Sequence, residues 1–198
     1  MFVLTVDQRG SRRDIDRVAD ILDRATDLVR PFERTAGDEV QGVADDASVA
    51  LDLALDFLED GHWSVGIGVG AVEDPLPRST RAGRGPAFEA ARDAVDSAKN
   101  AVAHIAVRGG DAESAGDADA VVALLALLLV RRTEQGRAAV DSVRRLGSQT
   151  AVAEELSITP QAVSQRLAVA GWQAERAARP VVARMLALAD LRARGTDA

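Results

Sequence analysis

Three carboxylates carry the residue types needed for metal and phosphate chemistry. Asp7 follows the apolar, β-prone run FVLTV, which predicts a buried strand over residues 2–6. Asp38 and Glu39 follow Gly37 in AGDEVQG, where Gly-Asp predicts a tight hairpin turn between two strands. If these strands are neighbours in one sheet, the three carboxylates converge at one edge. Such a cluster suits Mg²⁺, which binds few carboxylates and completes its shell with phosphate oxygens.

The loop after Asp7 has the composition of a phosphate-binding turn. It precedes a predicted helix over residues 14–29 and consists of Gln8, Arg9, Gly10 and Ser11. Backbone N–H groups near the start of a helix can bind phosphate oxygens, so we expect a nucleotide site here. Two simpler interpretations stay open. Asp7 caps the following helix or turn, and residues 37–39 form a plain hairpin turn.

Hydrophobic periodicity predicts the elements that must hold these groups. Further helices are expected over residues 46–58 and 86–101, and further strands over 62–72 and 102–107. Glycines alternate with apolar residues in HWSVGIGVGAV, which indicates that another element approaches this strand closely. The order β-α-β-β-α-β-α-β predicts an α+β domain over residues 1–108. A glycine-rich linker over 109–117 and a helical domain over 118–198 follow it. This domain begins with a helix over 120–146, which is either continuous or broken near Gly136.

Residues 149–168, QTAVAEELSITPQAVSQRLA, have the pattern of a helix-turn-helix. Thr159 can cap the second helix, and Pro160 suits its first position. We expect this second helix to continue beyond residue 168 and through Trp172, until Pro180 interrupts it. The residues at the spacing for packing between the two helices are Ala153, Leu156, Ile158, Val163 and Leu167. This arrangement presents the outer face of the second helix to a major groove.

The outer face of this motif predicts the DNA contacts. Its second helix presents Thr159, Gln161, Ser164, Gln165 and Arg166. Glutamine can pair with adenine and arginine with guanine through two hydrogen bonds. Thr159, with Gln149 and Thr150 at the start of the first helix, is expected to contact phosphates. Arg144 and Arg145 predict a nearby positive patch that adds salt-dependent affinity.

The distribution of charge agrees with a DNA-binding C-terminal part. The net charge is −7, but residues 131–195 contain 11 Arg and 6 Asp or Glu, which gives +5 there and −12 elsewhere. This asymmetry predicts a basic DNA-contacting end joined to an acidic module. The alternative is chance combined with a general preference for Arg, Ala and Asp.

Composition excludes several other classes. The chain has no cysteine, so it has neither disulfides nor thiolate chemistry, and its two histidines, His62 and His104, do not form a metal-ligand cluster. The start, MFVLTVDQ, lacks the pattern of a signal peptide. The longest apolar run, residues 118–130, is too short to span a bilayer. We therefore expect a cytoplasmic protein without a membrane partner.

Several N-terminal segments together resemble a known family. VDQRGS, AGDEVQG, VGIGVG and GRGPAFEAAR are similar to the SatD-like family of bacterial proteins, and these segments also resemble the palm-like, ferredoxin-type catalytic domains of nucleotide and diguanylate cyclases. The resemblance implies that Asp7 is the first metal ligand, Asp38 or Glu39 the second, and Arg92 a phosphate-binding arginine. Phe88 stands where cyclases have an asparagine, and Ala36 replaces a glycine. The resemblance thus implies a ferredoxin-like, palm-type antiparallel sheet with helices and a nucleotide or metal pocket, and not a cyclase reaction.

These observations favour a DNA-binding transcriptional regulator. Its N-terminal module would sense a nucleotide or a metal ion, or mediate dimerisation, with Mg²⁺ and a nucleotide as the cofactors. The expected partners are double-stranded DNA, a nucleotide effector and a second copy of the chain, since such motifs mostly act as symmetric dimers. The apolar helix 120–130 is either the dimer seam or the core between the modules. The alternatives are a Mg²⁺-dependent nucleotide-binding or nucleotide-processing enzyme and an assembly protein.

Overall fold

The computed structural model describes residues 1–22 and 27–195. This part of the chain contains five strands and eight α-helices. The strands are β1 (Phe2–Gln8), β2 (Arg30–Ala36), β3 (Glu39–Ala44), β4 (Trp63–Val69) and β5 (Ile105–Gly109). The helices are α1 (Val18–Leu22), α2 (Ala47–Asp60), α3 (Pro86–Asn100), α4 (Ala112–Val130), α5 (Glu134–Leu146), α6 (Gln149–Glu155), α7 (Pro160–Val169) and α8 (Trp172–Gly195). The α+β class and the predicted order of elements through β5 are confirmed.

The first helix begins later than predicted. The sequence predicts a helix over residues 14–29, but α1 begins only at Val18. Residues 23–26 of the predicted helix lie outside the described residues, and β2 begins at Arg30. The buried side chain of Gln8 explains why α1 begins late, because it holds the residues just before α1 against β1. Its Nε2 donates to the Ile15 carbonyl (2.7 Å), and its Oε1 accepts from the Arg17 N–H (2.9 Å).

The sheet is mixed rather than purely antiparallel, which corrects the expected antiparallel sheet. The strand order is β2-β3-β1-β4-β5, and only β4 and β5 are parallel neighbours. The chain leaves β4, passes through α3 and returns as β5, and a helical crossover of this kind makes the next strand parallel. One face of the sheet packs on α2, α4 and α8, and the other packs on α3.

Two glycines of β4 let α3 lie directly against the sheet. A Cβ at Gly66 would lie 2.3 Å from the Val95 nitrogen, and a Cβ at Gly68 would lie 2.1 Å from the Ala87 oxygen. Both neighbouring atoms belong to the backbone of α3, so no side-chain rotation could relieve the contact. The close approach predicted from the alternating glycines is confirmed.

Helix α4 occupies most of the stretch predicted as a linker. It begins at Ala112, where the Asp111 carboxylate accepts the Ser114 N–H (2.9 Å), so residues 112–117 are helical. The stretch 120–146 is two helices, and the break lies a few residues before Gly136, because α4 ends at Val130 and Thr133 caps α5.

The main hydrophobic core crosses the predicted domain boundary. Val122 and Leu129 of α4 and Leu186 of α8 are buried in the same cluster as Leu4 and Ile67 of the sheet. One face of α4 therefore belongs to the core of the sheet. None of the described helices is long and apolar enough to cross a membrane.

The end of the chain departs from prediction at two points. Helix α7 ends at Val169, because Gly171 adopts a left-handed backbone (φ 69°) that separates it from α8. Helix α8 then runs through Pro180 without a break. We expected the second helix of the motif to continue past Trp172 and Pro180 to interrupt that helix. Both expectations are wrong.

Candidate nucleic-acid interface and acidic sheet edge

Helices α6 and α7 are joined by a short turn, in the order helix, turn, helix that the sequence predicts. Ser157 turns the chain between them with a left-handed backbone (φ 52°), and the Ile158 N–H donates to the Ala153 carbonyl (3.0 Å). The Thr159 hydroxyl accepts the Ala162 N–H (3.1 Å) and caps α7, and Pro160 is its first residue. Each local signal in this segment therefore acts as expected.

A small core beneath the motif fixes the two helices on α5. Val163 and Leu167 of α7 are buried against Val152 and Ala153 of α6 and Val140 of α5. Leu156 and Ile158 are partly buried against the same cluster. The five residues predicted to pack between the helices are thus all in or against this core. Helix α7 is held as the outer helix of a three-helix unit.

The predicted DNA-contacting side chains lie outside this core. Six of them are exposed, namely Gln149, Thr150, Thr159, Gln161, Ser164 and Gln165, and Arg166 is half-buried. Within the described residues, the side chains of Gln161, Gln165 and Arg166 form no hydrogen bond or ion pair. Their amide and guanidinium groups are therefore available to base edges or phosphates.

The predicted positive patch at Arg144 and Arg145 is already neutralised by carboxylates. Arg145 lies 2.8 Å from Glu155, and Arg144 lies 2.8 Å from Glu59 and 2.5 Å from Glu175. Neither guanidinium is a free cation, so the expectation of a free patch at these two residues is wrong. No local pattern indicates these partners, because Glu59 and Glu175 are distant from Arg144 in the chain.

An ion-pair cluster centred on the buried side chains of Arg132 and Glu175 connects the three-helix unit to α2 and α8. It consists of Glu59, Arg132, Arg144, Glu175 and Arg179. Glu175 is fully buried, and its two carboxylate oxygens accept hydrogen bonds from the three arginines at 2.5–2.7 Å. Glu59 of α2 accepts from Arg132 and Arg144 at 2.8 Å each. Because Arg132 also donates to the Ala170 carbonyl (2.9 Å), the cluster fixes the end of α7 against α2.

Electrostatic balance explains why the cluster tolerates burial. Burial alone would raise the pKa of Glu175, but the hydrogen bond from Arg132 and the charges of Arg179 and Arg144 hold it below its ordinary value. The Arg144 guanidinium also lies over the Trp172 ring, 5.6 Å from the ring centroid. The carboxylate thus stays ionised with its oxygens satisfied.

The sheet brings two of the three predicted metal ligands together. Asp7 lies within β1, not after it, and its register partner in β3 is Glu39. Partial burial raises the pKa of Asp7, and the charges of Asp38 and Glu39 add to this shift, whereas the Lys99 ammonium opposes it. The three carboxylates are therefore close enough to interact.

The predicted magnesium ligands already have partners within the protein. Lys99 Nζ lies 3.3 Å from Asp7 Oδ2, and the Thr35 hydroxyl donates to Glu39 Oε1 (2.6 Å). In residues 1–22 and 27–195, no group of three or more His, Cys, Asp or Glu is placed to hold a metal ion. A magnesium site at this edge stays a prediction that requires Lys99 to move.

Two backbone N–H groups of the predicted phosphate loop donate hydrogen bonds to carbonyl groups of the protein. The Gln8 N–H donates to the Asp38 carbonyl (3.2 Å), and the Arg9 N–H donates to the His62 carbonyl (2.7 Å). Gly10 turns the chain with a left-handed backbone (φ 68°) before a short 3₁₀ turn that begins at Ser11. The backbone of Gln8 and Arg9 is therefore not free to bind phosphate, contrary to expectation.

Arg92 lies in a cleft apart from the carboxylates. The cleft has a volume of about 610 Å³, and its charged lining residues are Glu73, Arg81, Arg84, Glu89 and Arg92. Asp7, Asp38 and Glu39 do not line it. Lys99, rather than Arg92, is the cation that α3 presents to Asp7.

Comparison with known proteins gives no match. No protein-family model matches the chain, and neither a curated protein nor a solved structure matches it.

Proposed function

We propose that this chain is a DNA-binding transcriptional regulator that reads the major groove with α7. The observation that carries the proposal is the combination of a capped, core-anchored α7 with an outer face of unpartnered polar side chains. Gln161, Ser164 and Gln165 are exposed on this face. An outer helix held in this way, with amides free for adenine edges, is what a recognition helix requires.

The charge of the C-terminal part supports the same proposal. Residues 131–195 carry a net charge of +5, although part of that charge is used in the ion-pair cluster. Thr159, Gln149 and Thr150 lie exposed at the starts of α7 and α6, where helix N-termini attract phosphates. Phosphate contacts would then position α7, and its amides would supply specificity.

The α+β part is the proposed input module. Four of its strands, in the order β4-β1-β3-β2, are antiparallel neighbours, an arrangement that is in keeping with a ferredoxin-like, palm-type domain of the SatD-like kind. We propose that it senses a nucleotide or metal ion or mediates dimerisation. Leu124 of α4 is 67% exposed and lines an apolar groove with Val169 of α7, which supports a homodimer seam beside the recognition helix.

Removal of the base-reading side chains should abolish specific DNA binding. In the double variant Gln165→Ala, Arg166→Ala, each side chain is expected to account for about 1–3 kcal/mol of discrimination, so affinity for a specific site should fall by at least tenfold. Fluorescence anisotropy with duplex DNA at two salt concentrations measures this loss.

The matched control removes the same residue types from α8. Gln173 and Arg176 are exposed there, and the variant Gln173→Ala, Arg176→Ala loses the same formal charge. It should lower affinity only slightly and equally for all sequences. Equal losses in the two double variants would contradict recognition by α7.

A second function, Mg²⁺-dependent nucleotide binding or processing, is favoured by the register pair Asp7–Glu39 with Asp38 beside it. If it is correct, incubation with nucleoside triphosphates and Mg²⁺ or Mn²⁺ should give product, and Asp7→Ala and Asp38→Ala should abolish turnover. Chromatographic detection of product measures this. Absence of turnover together with no nucleotide-dependent shift in melting temperature would exclude both the enzyme and the nucleotide sensor.

A further inference from the structure

A cavity of about 270 Å³ lies between the sheet and the helix α5 that supports the recognition unit. Its walls come from the end of α2, the residues before β4 and β5, and the α4–α5 junction. The polar residues that line it are Arg9, Glu59, His104 and Arg137, and Trp63 supplies an aromatic wall. The cavity therefore lies at the contact between the two parts of the chain.

The charges in this cavity do not balance. Within the described residues, neither the Arg9 nor the Arg137 guanidinium forms an ion pair, and Arg9 donates only to the Gly61 carbonyl (3.3 Å). Glu59 is the one acid of the lining, and it is already paired with Arg132 and Arg144 at 2.8 Å each. Two guanidinium groups thus share a cavity whose carboxylate is neutralised elsewhere.

His104 lines the same cavity from the residues before β5. Its Nδ1 is buried and has no hydrogen-bond partner among the described residues. Its backbone is left-handed (φ 53°), which is uncommon for a residue other than glycine.

We propose that this cavity binds a small metabolite through a phosphate group held by Arg9 and Arg137, beside His104. Arginine recognises phosphate with paired, charge-assisted hydrogen bonds, and a phosphate dianion matches two unpaired guanidinium groups. The volume lies just below the range typical of drug-sized ligand pockets, which favours a phosphate with a few attached carbons over a nucleoside triphosphate. Trp63 would contact the apolar part of the ligand.

This site is distinct from the acidic sheet edge and from the Arg92 cleft. It places a ligand against Arg137 of α5, the helix on which α6 and α7 pack. The inference concerns ligand binding alone and does not require the chain to bind DNA. Its failure and that of the proposed DNA-binding function are therefore separable.

Histidine NMR of the full chain tests the site directly, with inorganic phosphate and glycerol phosphate as probes at constant ionic strength. The chain has only two histidines. The imidazole signals of His104 should shift saturably with each probe. Those of His62, which faces Asp14 (3.9 Å), should not. Isothermal titration calorimetry then gives the affinity.

Variants separate this cavity from the other arginine-lined cleft. Arg137→Gln and Arg9→Gln should each weaken binding at least tenfold, whereas Arg84→Gln, in the Arg92 cleft, should leave it unchanged. Circular dichroism confirms that each variant is folded. The proposal is overturned if His104 shows no saturable shift, or if Arg84→Gln weakens binding while Arg9→Gln and Arg137→Gln do not.

Discussion

Gly68→Ala should destabilise the protein by about 3 kcal/mol, at the upper end of the usual penalty for overpacking a core. The added Cβ would lie 2.1 Å from the Ala87 oxygen and 2.4 Å from the Ala91 nitrogen, so α3 must move away from β4. For a protein of this size, the melting temperature should fall by about 6–12 °C. Calorimetry or thermal circular dichroism measures the change.

The matched control is Gly116→Ala. Gly116 lies inside α4, and a Cβ there would meet nothing within 4 Å. Because glycine lowers helix stability relative to alanine, this variant should gain about 0.5–1 kcal/mol. Opposite signs for the two glycines are the expected result. A melting temperature for Gly68→Ala within about 2 °C of wild type, less than 1 kcal/mol in a chain of this size, would contradict the close packing of α3 on β4.

Glu175→Ala should have an equal or larger effect, because it leaves three arginines facing one another without their shared carboxylate. Removing one partner of a buried ion pair costs about 3–5 kcal/mol. Glu175 is fully buried and accepts from Arg132, Arg144 and Arg179. Chemical denaturation of the variant and the wild type gives the difference in free energy of unfolding.

The control for Glu175 is Glu155→Ala, which removes an exposed pair with Arg145 and should cost less than about 1 kcal/mol. Acid provides an independent check. The pKa of Glu175 lies below its ordinary value in the folded protein. The stabilisation from its ionised form is therefore fully present above the ordinary pKa and is lost as pH falls from there through the lowered pKa. The wild type should therefore lose more stability on acidification than Glu175→Ala. Equal acid sensitivity would contradict the account of the cluster.

The helix-turn-helix could be predicted because its signals are local. Thr159, Pro160 and the apolar spacing around Ala153 act within one or two turns of helix, and the structure confirms each of them. The alternating glycines of β4 are a similar case, since a bare backbone face indicates a close neighbour regardless of which element provides it.

Long-range contacts explain what the sequence could not predict. Arg144 was expected to be free because its partners Glu59 and Glu175 are remote in the chain. No pattern around Lys99 in the sequence indicates that it would face Asp7 from α3. The linker was predicted from its glycines, but Asp111 caps a helix there and Gly116 lies within it.

Sequence-specific recognition of DNA by α7 is the core of the proposed function. Its most direct test is selection of bound fragments from sheared genomic DNA at low salt, followed by sequencing, with the wild type and the Gln165→Ala, Arg166→Ala variant in parallel. The wild type should enrich fragments that share a common sequence, and the variant should lose that enrichment while keeping weak, sequence-independent binding. No enrichment by the wild type, or the same enrichment by both proteins, would contradict the account.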